Sequence, residues 1–212
     1  MIWDKVAGFY DLTENLYNGK VYGQLGRRVS AYIEKDDFVL ECACGTGILS
    51  VEIAENCRKL ISTDCSANML KRAQRKCRRL SNIRFAKADI SKLPYQDNQF
   101  DKVVAANVIH LLDSPENALQ ELERVCKAGG KIIVPTYVNS EKRGAAIAVG
   151  ILERIGIVFK RQFHYSSYKK FFQKLGYVDC EYVLIEGRMP CAIAVITKSK
   201  DESYHTETYR NG

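Results

Sequence analysis

The sequence has no window of about 20 apolar residues, the length that a membrane-spanning helix needs, so we expect no membrane span. At the start of the chain, Trp3, Asp4 and Lys5 interrupt any apolar run, which argues against a signal peptide. The 8 cysteines also lack the spacing of zinc ligands, because one residue separates Cys42 from Cys44 and no second pair follows. We therefore expect a cytoplasmic protein with reduced thiols and no bound metal.

The remaining composition is that of an ordinary globular domain. Of the 212 residues, 46% are hydrophobic and 27% are charged, and this length suits one α/β domain with a sizeable core. The net charge is +7. Much of it lies on a predicted helix from Asn68 to Leu80, where basic residues surround an apolar stripe. Such a face is either solvated or attracted to an anionic surface, whether nucleic acid or lipid headgroups.

One turn carries the clearest functional signal. The segment 38–40 is the apolar run of a buried parallel strand, which ends at Glu41 and turns through Gly45 and Gly47 into a helix from about Ile48. The two glycines let the backbone approach a ligand closely and adopt dihedral angles that a Cβ atom would forbid. A Gly-x-Gly turn alone is weak evidence, and the strands that follow strengthen it.

Those strands repeat the pattern of an apolar run with a polar end. They are predicted at 60–64, 83–89, 100–107 and 131–134, with helices between them. Their spacing predicts a doubly wound, nucleotide-binding sheet, in which a ligand lies across the carboxyl ends of the strands. Asp64 follows the glycine turn at the position, about 20 residues on, where such sheets hold a ribose diol. The other polar strand ends are Glu41, Asp89 and Asn107.

Together these features resemble the class I S-adenosylmethionine-dependent methyltransferases over residues 37–198. The motifs that carry the resemblance are Glu41, Gly45-Thr46-Gly47, Asp64, Asp89 and Phe100-Asp101-x-Val103. A dinucleotide site would show a third glycine, Gly-x-Gly-x-x-Gly, which this turn does not have. S-adenosylmethionine has no phosphate, and the acidic end of the first strand suits its cationic sulfonium and amino group.

The resemblance implies an α/β fold with a Rossmann-like, doubly wound sheet of seven strands. The sheet is mostly parallel with an antiparallel C-terminal edge strand, and a predicted hairpin of 177–186 and 191–198 supplies that strand. We expect three parts of the chain: an N-terminal helical lid at 1–36, the S-adenosylmethionine-binding domain at 37–198, and a polar tail at 199–212.

The resemblance also assigns residues to the cofactor. Glu41 would place negative charge near the amino-acid moiety, Asp64 would accept hydrogen bonds from the ribose, and Asp89 would take the adenine amino group. Ala43 stands where the family usually has a glycine, so one methyl group tightens this turn. The residues expected to hold S-adenosylmethionine are Tyr10, Glu41, Cys42, Ala43, Gly45, Gly47, Asp64, Cys65, Met69, Asp89, Ile90 and Asn107.

The acceptor is less clearly specified. The lead-in before residue 37 is similar to that of methyltransferases of the ubiquinone and menaquinone pathway and of phospholipid N-methyltransferases. The apolar segment 136–165 walls an acceptor pocket, lies on a membrane surface, or packs in the core. Nucleic acid is disfavoured, because Asn107-Val108-Ile109-His110 stands where exocyclic-amine nucleic-acid methyltransferases carry an Asn/Asp-Pro-Pro-aromatic turn.

Three hypotheses follow for the function. The first is methylation of a small molecule, and the second is methylation of a membrane-resident acceptor, a quinone precursor or a phospholipid, with peripheral association to anionic membrane. The third is a protein that binds S-adenosylmethionine or a nucleic acid without turnover. For a protonated acceptor, His110 is our first candidate for a general base and His164 the second, although a capping or surface role suits each equally well. The oligomeric state is left open.

Overall fold

The computed structural model describes residues 21–139, 160–187 and 189–200. The strands are β1 (Phe38–Cys42), β2 (Lys59–Asp64), β3 (Ile83–Lys87), β4 (Phe100–Ala105), β5 (Cys126–Tyr137), β6 (Glu181–Ile185) and β7 (Cys191–Thr197). The helices are α1, which includes residues 21–30, then α2 (Ile48–Asn56), α3 (Ala67–Lys76), α4 (Pro115–Val125) and α5 (Tyr165–Lys174). A short 3-10 helix spans Ile109–Leu111.

The seven strands form one sheet in the order β3-β2-β1-β4-β5-β7-β6. β1 to β5 are parallel neighbours, whereas β7 is antiparallel to both β5 and β6. The prediction of a doubly wound, mostly parallel sheet of seven strands with an antiparallel C-terminal hairpin is therefore confirmed. In detail, β7 lies between β5 and β6, so β6 forms the edge.

The strand order places the predicted ligand site at the centre of the sheet. The chain runs outward from β1 to β3 and then returns to the other side of β1 as β4. Adjacent loops therefore leave the carboxyl ends of β1 and β4 in opposite directions, which opens a crevice between them. Glu41 lies near the end of β1 and Asn107 follows the end of β4.

Alternating side chains of the strands build a core on both faces of the sheet. On one face, Leu40 and Val103 pack with α4 and α5, where Leu119, Tyr168 and Phe172 are fully buried. On the other face lie α1 and α2, whose buried residues include Leu25, Val29 and Ile53. Helices on both faces explain why the central strands read as continuous apolar runs rather than alternating ones.

Several elements differ in length from their sequence prediction. β5 begins at Cys126 rather than at 131, because a glycine-containing stretch without an apolar pattern extends the strand. β6 begins at Glu181 rather than at 177, since a turn after Gly176 precedes it. Tyr177 packs in the core instead, and its hydroxyl donates to Glu123 over 3.1 Å. The basic helix α3 ends at Lys76, one turn earlier than predicted.

Some expectations fall on residues outside the described ranges. Tyr10 and most of the predicted lid lie there, and so do residues 140–159 of the apolar segment. The boundaries proposed at 36 and 198 stay predictions. In the part of the chain that the structure describes, no helix has the length and apolar character needed to cross a membrane.

Candidate cofactor and active site

The turn between β1 and α2 has an unusual backbone. Ala43, Gly45 and Gly47 have φ angles of 53°, 55° and 78°, all in the left-handed region that favours glycine. The Cys44 N–H donates to the Thr63 carbonyl over 2.9 Å, which ties the turn to the end of β2. The free N-terminus of α2 follows, since Gly47 caps it without a side chain. The turn therefore leaves backbone N–H groups beside the crevice.

The two glycines of the turn serve different purposes. A Cβ atom on Gly45 would meet no atom within 4 Å, so this residue leaves open space above the sheet. A Cβ atom on Gly47 would lie 2.9 Å from both Cα and Cβ of Ala73 in α3. Gly45 thus keeps room for a ligand, whereas Gly47 allows α2 and α3 to pack closely.

A cavity of about 310 Å³ lies along the carboxyl ends of β1 to β4. It brings together eight of the residues that the sequence assigned to the cofactor. They are Ala43, Gly45, Asp64, Cys65, Met69, Asp89, Ile90 and Asn107. Five further residues complete the lining: Ala88, Ala106, Val108, Leu111 and Leu112.

Asp64 is the most firmly held carboxylate of this cavity. Its Oδ2 accepts the Gly45 N–H over 2.9 Å and its Oδ1 accepts the Ser66 N–H over 2.8 Å. Burial raises the pKa of this carboxyl above its usual value, although the two backbone bonds and those from Cys65 oppose the rise. Asp64 therefore couples the glycine turn to the start of α3.

Asp89 lies across the cavity on the loop after β3. Its Oδ1 accepts the Ser91 N–H over 2.8 Å, which orients an otherwise exposed carboxylate, and Ile90 beside it is buried. Asp64 is the last residue of β2 and Asp89 follows the end of β3, and both line one cavity. A cavity with a carboxylate beside each of two neighbouring strands suits a ligand that has polar groups at two places.

A smaller cavity adjoins the first, and Ala43, Gly45, Ala106 and Asn107 line both. The remaining residues of the smaller cavity are Tyr22, Glu41, Cys44, Thr46, Ile48 and Leu49. Glu41 is 1% exposed. The shared residues form a common wall between a pocket that contains Asp64 and Asp89 and a pocket that contains Glu41.

Two serines hold the carboxylate of Glu41. Ser50 of α2 and Ser62 of β2 each donate a hydroxyl hydrogen to its Oε2, over 2.5 and 2.6 Å. Burial raises the pKa of this carboxyl to about 7, and the negative charge of Asp64 adds to the rise, while the serine hydrogen bonds lower it. The sequence indicated Glu41 as a strand-end acid but not its partners.

Asn107 lines both cavities, and hydrogen bonds fix its conformation. Its φ angle is 53°, its N–H donates to the Pro135 carbonyl over 2.8 Å, and its Oδ1 accepts the Tyr137 N–H over 3.1 Å. These bonds connect the ends of β4 and β5. Asparagine tolerates the left-handed region better than most residues, so the strand end is stable without glycine.

Other predicted site residues lie apart from the two cavities. Cys42 and Gly47 do not belong to the described lining of either. His110 is 4% exposed in the 3-10 helix, and burial lowers its pKa to about 4, so the imidazole is neutral at pH 7. His164 caps α5, where its N–H donates to the Ser167 hydroxyl over 2.9 Å. The assignment of either histidine as a base stays a prediction.

The apolar wall after β4 has a support that the sequence did not reveal. Arg161 donates from its guanidinium to the Leu112 carbonyl over 2.8 Å and from its backbone to the His110 carbonyl over 3.1 Å. Lys160 forms an ion pair with Asp113 over 2.8 Å. Lys160 and Arg161 thus hold the loop that carries Leu111 and Leu112. Two adjacent basic residues are visible in the sequence, but their partners are not.

The charge of the site is opposite to that of the whole chain. Glu41, Asp64 and Asp89 line the two cavities, and no lysine or arginine belongs to their described lining. The chain as a whole carries +7. An acidic crevice with an open glycine turn fits a cationic, phosphate-free ligand with a ribose diol better than a dinucleotide. Among the described residues, no cluster of His, Cys, Asp and Glu could hold a metal ion.

Comparison with known proteins agrees with this geometry. Residues 40–134 match the family described as "Methyltransferase domain". The ubiquinone/menaquinone biosynthesis C-methyltransferase UbiE of Bdellovibrio bacteriovorus is 33% identical over 165 residues, which cover 73% of this chain and 70% of that protein. The chain belongs to the class I S-adenosylmethionine-dependent methyltransferases. The open space at Gly45 and the three carboxylates fit the cofactor of this family.

Two further comparisons describe the extent of the likeness. This methyltransferase is 32% identical over 141 residues to the demethylmenaquinone methyltransferase of Renibacterium salmoninarum, and the match covers 64% of this chain and 57% of that protein. A solved S-adenosylmethionine-dependent methyltransferase of Thermotoga maritima superposes with a TM-score of 0.72 at 19% identity, covering 93% of this chain and 99% of that one. The second match shows the fold alone.

Proposed function

We propose that this methyltransferase transfers the methyl group of S-adenosylmethionine to a small, largely apolar acceptor of the quinone-precursor type. The observation that carries the proposal is an apolar surface in the same cavity as Asp64 and Asp89, beside the wall that this cavity shares with the pocket of Glu41. That surface consists of Val108, Leu111 and Leu112, and they line the larger cavity beside Asn107. Relatives named for ubiquinone and menaquinone biosynthesis support an acceptor of this kind.

The residues of the chain would divide the work of binding and alignment. Asp64 and Asp89 would hold the adenosine part in the larger cavity, and Glu41 would hold the amino-acid part in the smaller one. S-adenosylmethionine supplies an electrophilic methyl group when bound. Ala43, Ala106 and Asn107 at the shared wall would then fix the position at which the acceptor approaches. Positioning of this kind contributes about 7–11 kcal/mol to lowering a reaction barrier.

The test is a turnover assay with two acceptor fractions. Purified protein receives methyl-tritiated S-adenosylmethionine together with lipid extract or small-solute extract of its source cells. An Asp64→Ala, Asp89→Ala double variant is the control. We expect label in an apolar product, in equal amount to S-adenosylhomocysteine and over many turnovers. Label in polar small solutes would favour another small-molecule acceptor. Cofactor binding without any turnover would favour the binding-only hypothesis.

We also propose that the protein associates peripherally with anionic membrane, where apolar acceptors reside. A basic surface on α3 and on the turn after it supports this proposal. The same helix carries Met69, which lines the larger cavity. Each member of this surface is exposed or half-buried. The basic surface consists of Lys71, Arg72, Arg75, Lys76, Arg78 and Arg79. The proposed location is cytoplasmic, which the eight free cysteines support.

A further inference from the structure

The buried carboxylate of Glu41 needs an explanation beyond stability. An ionised carboxylate in the protein interior is costly, and an apolar residue of similar volume is often at least as stabilising. Glu41 is 1% exposed and its side chain sits between β2 and α2. Glu41 of β1, Ser50 of α2 and Ser62 of β2 form a buried polar cluster from three different elements. Such an arrangement points to a role in binding.

The geometry of the cluster fixes one oxygen of the carboxylate. Ser62 lies directly beside Glu41 in the parallel register of β1 and β2, and Ser50 reaches it from the first turn of α2. Both serines are fully buried, and both donate to Oε2. A carboxylate has room for further donors on its second oxygen. Because Glu41 lines the smaller cavity, Oε1 can be offered there.

We propose that Ser50 and Ser62 are positioning residues, which fix the Glu41 carboxylate so that its Oε1 accepts a hydrogen bond from the ammonium group of S-adenosylmethionine. The inference rests on the proposed function, because it assumes that the smaller cavity holds the amino-acid part of the cofactor. Neither serine would touch the ligand. Each acts by holding Glu41 in one orientation and by stabilising its charged form.

The charged groups around Glu41 determine how this interaction depends on pH. Asp64 faces it from β2, and the thiols of Cys42, Cys44 and Cys77 face it from β1, the turn and the end of α3. Burial raises the pKa of all three thiols well above 9, so they stay neutral at pH 7. Besides Asp64, Lys76 of α3 lies beside the smaller cavity, where its Nζ donates to the Thr46 hydroxyl over 3.4 Å. A ligand without an ammonium group separates the effect of Glu41 from the effects of these two charges.

The experiment compares two ligands by isothermal titration calorimetry. S-adenosylmethionine carries the ammonium group, whereas 5′-methylthioadenosine has the same adenosine part without the amino acid. The variants are Ser50→Ala, Ser62→Ala and both together. Thr63→Val is the matched control, since Thr63 is equally buried but donates to the Glu41 carbonyl, over 3.2 Å, rather than to its carboxylate.

We expect the double variant to bind S-adenosylmethionine about tenfold more weakly, the effect of losing a hydrogen bond to a charged group. Binding of 5′-methylthioadenosine should change less than twofold. Thr63→Val should leave the ratio of the two affinities at its wild-type value. The affinity of the wild-type protein for S-adenosylmethionine should rise between about pH 6 and pH 7.5 as Glu41 ionises, and this rise should move to higher pH in the serine variants.

Equal losses for both ligands, or no loss for either, would overturn the assignment of the serines while leaving the proposed function intact. Failure of the wild-type protein to bind either ligand would overturn both proposals. The single variants retain one of the two hydrogen bonds, so they preserve the comparison even if the double variant does not fold. Circular dichroism of each variant checks the fold before titration.

Discussion

Ala43 adopts a backbone conformation that suits glycine better than alanine. A φ angle of 53° destabilises the folded state of an L-residue by about 1–2 kcal/mol. Glycine avoids this strain, but its greater freedom in the unfolded chain lowers the free energy of unfolding by about 0.5–1 kcal/mol. We therefore expect Ala43→Gly to raise the free energy of unfolding by up to about 1 kcal/mol in urea titrations. Ala106→Gly is the matched control, because Ala106 lines the same cavities without a positive φ angle. A gain in the control variant equal to that of Ala43→Gly would contradict the account.

Glu41 should make the ligand-free protein less stable as the pH rises. Its pKa is about 7 in the folded protein and near 4.5 in the unfolded chain. Between these values the folded state holds a proton that the unfolded state has released, so the free energy of unfolding falls with increasing pH. The Glu41→Gln variant has no titratable carboxyl at this position. We expect its stability relative to wild type to grow by on the order of 2–3 kcal/mol from about pH 5 to about pH 8.

Urea titrations of both proteins at these two pH values measure that difference. The same variant should weaken the binding of S-adenosylmethionine, because an amide cannot replace the carboxylate charge. Asp64 is present in both proteins, so only the part of its titration that is coupled to Glu41 enters the comparison. A relative stability that does not change with pH would show that Glu41 titrates near its usual pKa.

At the scale of elements, the contact between α2 and α3 depends on Gly47. A methyl group there would meet Ala73 at 2.9 Å and the φ angle of 78° would strain it further. We expect Gly47→Ala to lower the free energy of unfolding by about 2–3 kcal/mol, as overpacking does. Gly45→Ala is the matched control, because a Cβ atom there meets no atom within 4 Å and the φ angle is also positive. We expect it to lower the free energy of unfolding by about 1 kcal/mol.

The two glycine variants should also differ in binding. Gly45 lines both cavities and Gly47 lines neither in the described structure, so at equal folded fraction Gly45→Ala should weaken cofactor binding more. Thermal unfolding and calorimetry on the same samples separate the two effects. The interpretation fails if Gly47→Ala is no more destabilising than Gly45→Ala.

At the scale of the whole molecule, the basic surface should direct the protein to anionic membrane. We expect recovery with vesicles that contain phosphatidylserine in flotation assays at low salt, and loss of recovery at high salt because ions screen surface charges. Arg75→Glu with Arg79→Glu should abolish it. The matched control is Lys174→Glu with Lys200→Glu, which changes the net charge equally on other parts of the surface. Absence of the protein from the floating fraction at low salt would contradict membrane association.

The sequence predicted the features that depend on residues close together in the chain. Asp64 was identifiable because a short apolar run and the carboxylate at its end are neighbours in the chain. The hydrophobic stripe of the basic helix was equally local. Of its five predicted members, Met69, Leu70, Ala73 and Cys77 are buried, and Leu80 is half-buried. These local patterns, together with the order of the strands, were enough to predict the sheet, and the family resemblance that they carry assigned eight of the residues that surround one cavity.

Features that depend on distant parts of the chain were not predictable. Ser50 and Ser62 are ordinary serines in the sequence, and only the packing of α2 and β2 brings both to Glu41. The burial of His110, which lowers its pKa, depends on the folded structure rather than on its neighbours in the sequence. The position of β7 between β5 and β6 is likewise set by pairing across more than fifty residues.

The acidic lining of the crevice also bears on what happens after each turnover. In the proposed site, Glu41, Asp64 and Asp89 would attract the sulfonium cation of the donor, whereas loss of its methyl group leaves an uncharged thioether. The spent molecule therefore carries one positive charge less than the fresh one, while its shape is almost unchanged. Carboxylates without a neighbouring lysine or arginine in the described lining can tell the two apart by charge. In the proposed site, the side chains that recruit the donor would therefore also favour exchange of the product for fresh donor.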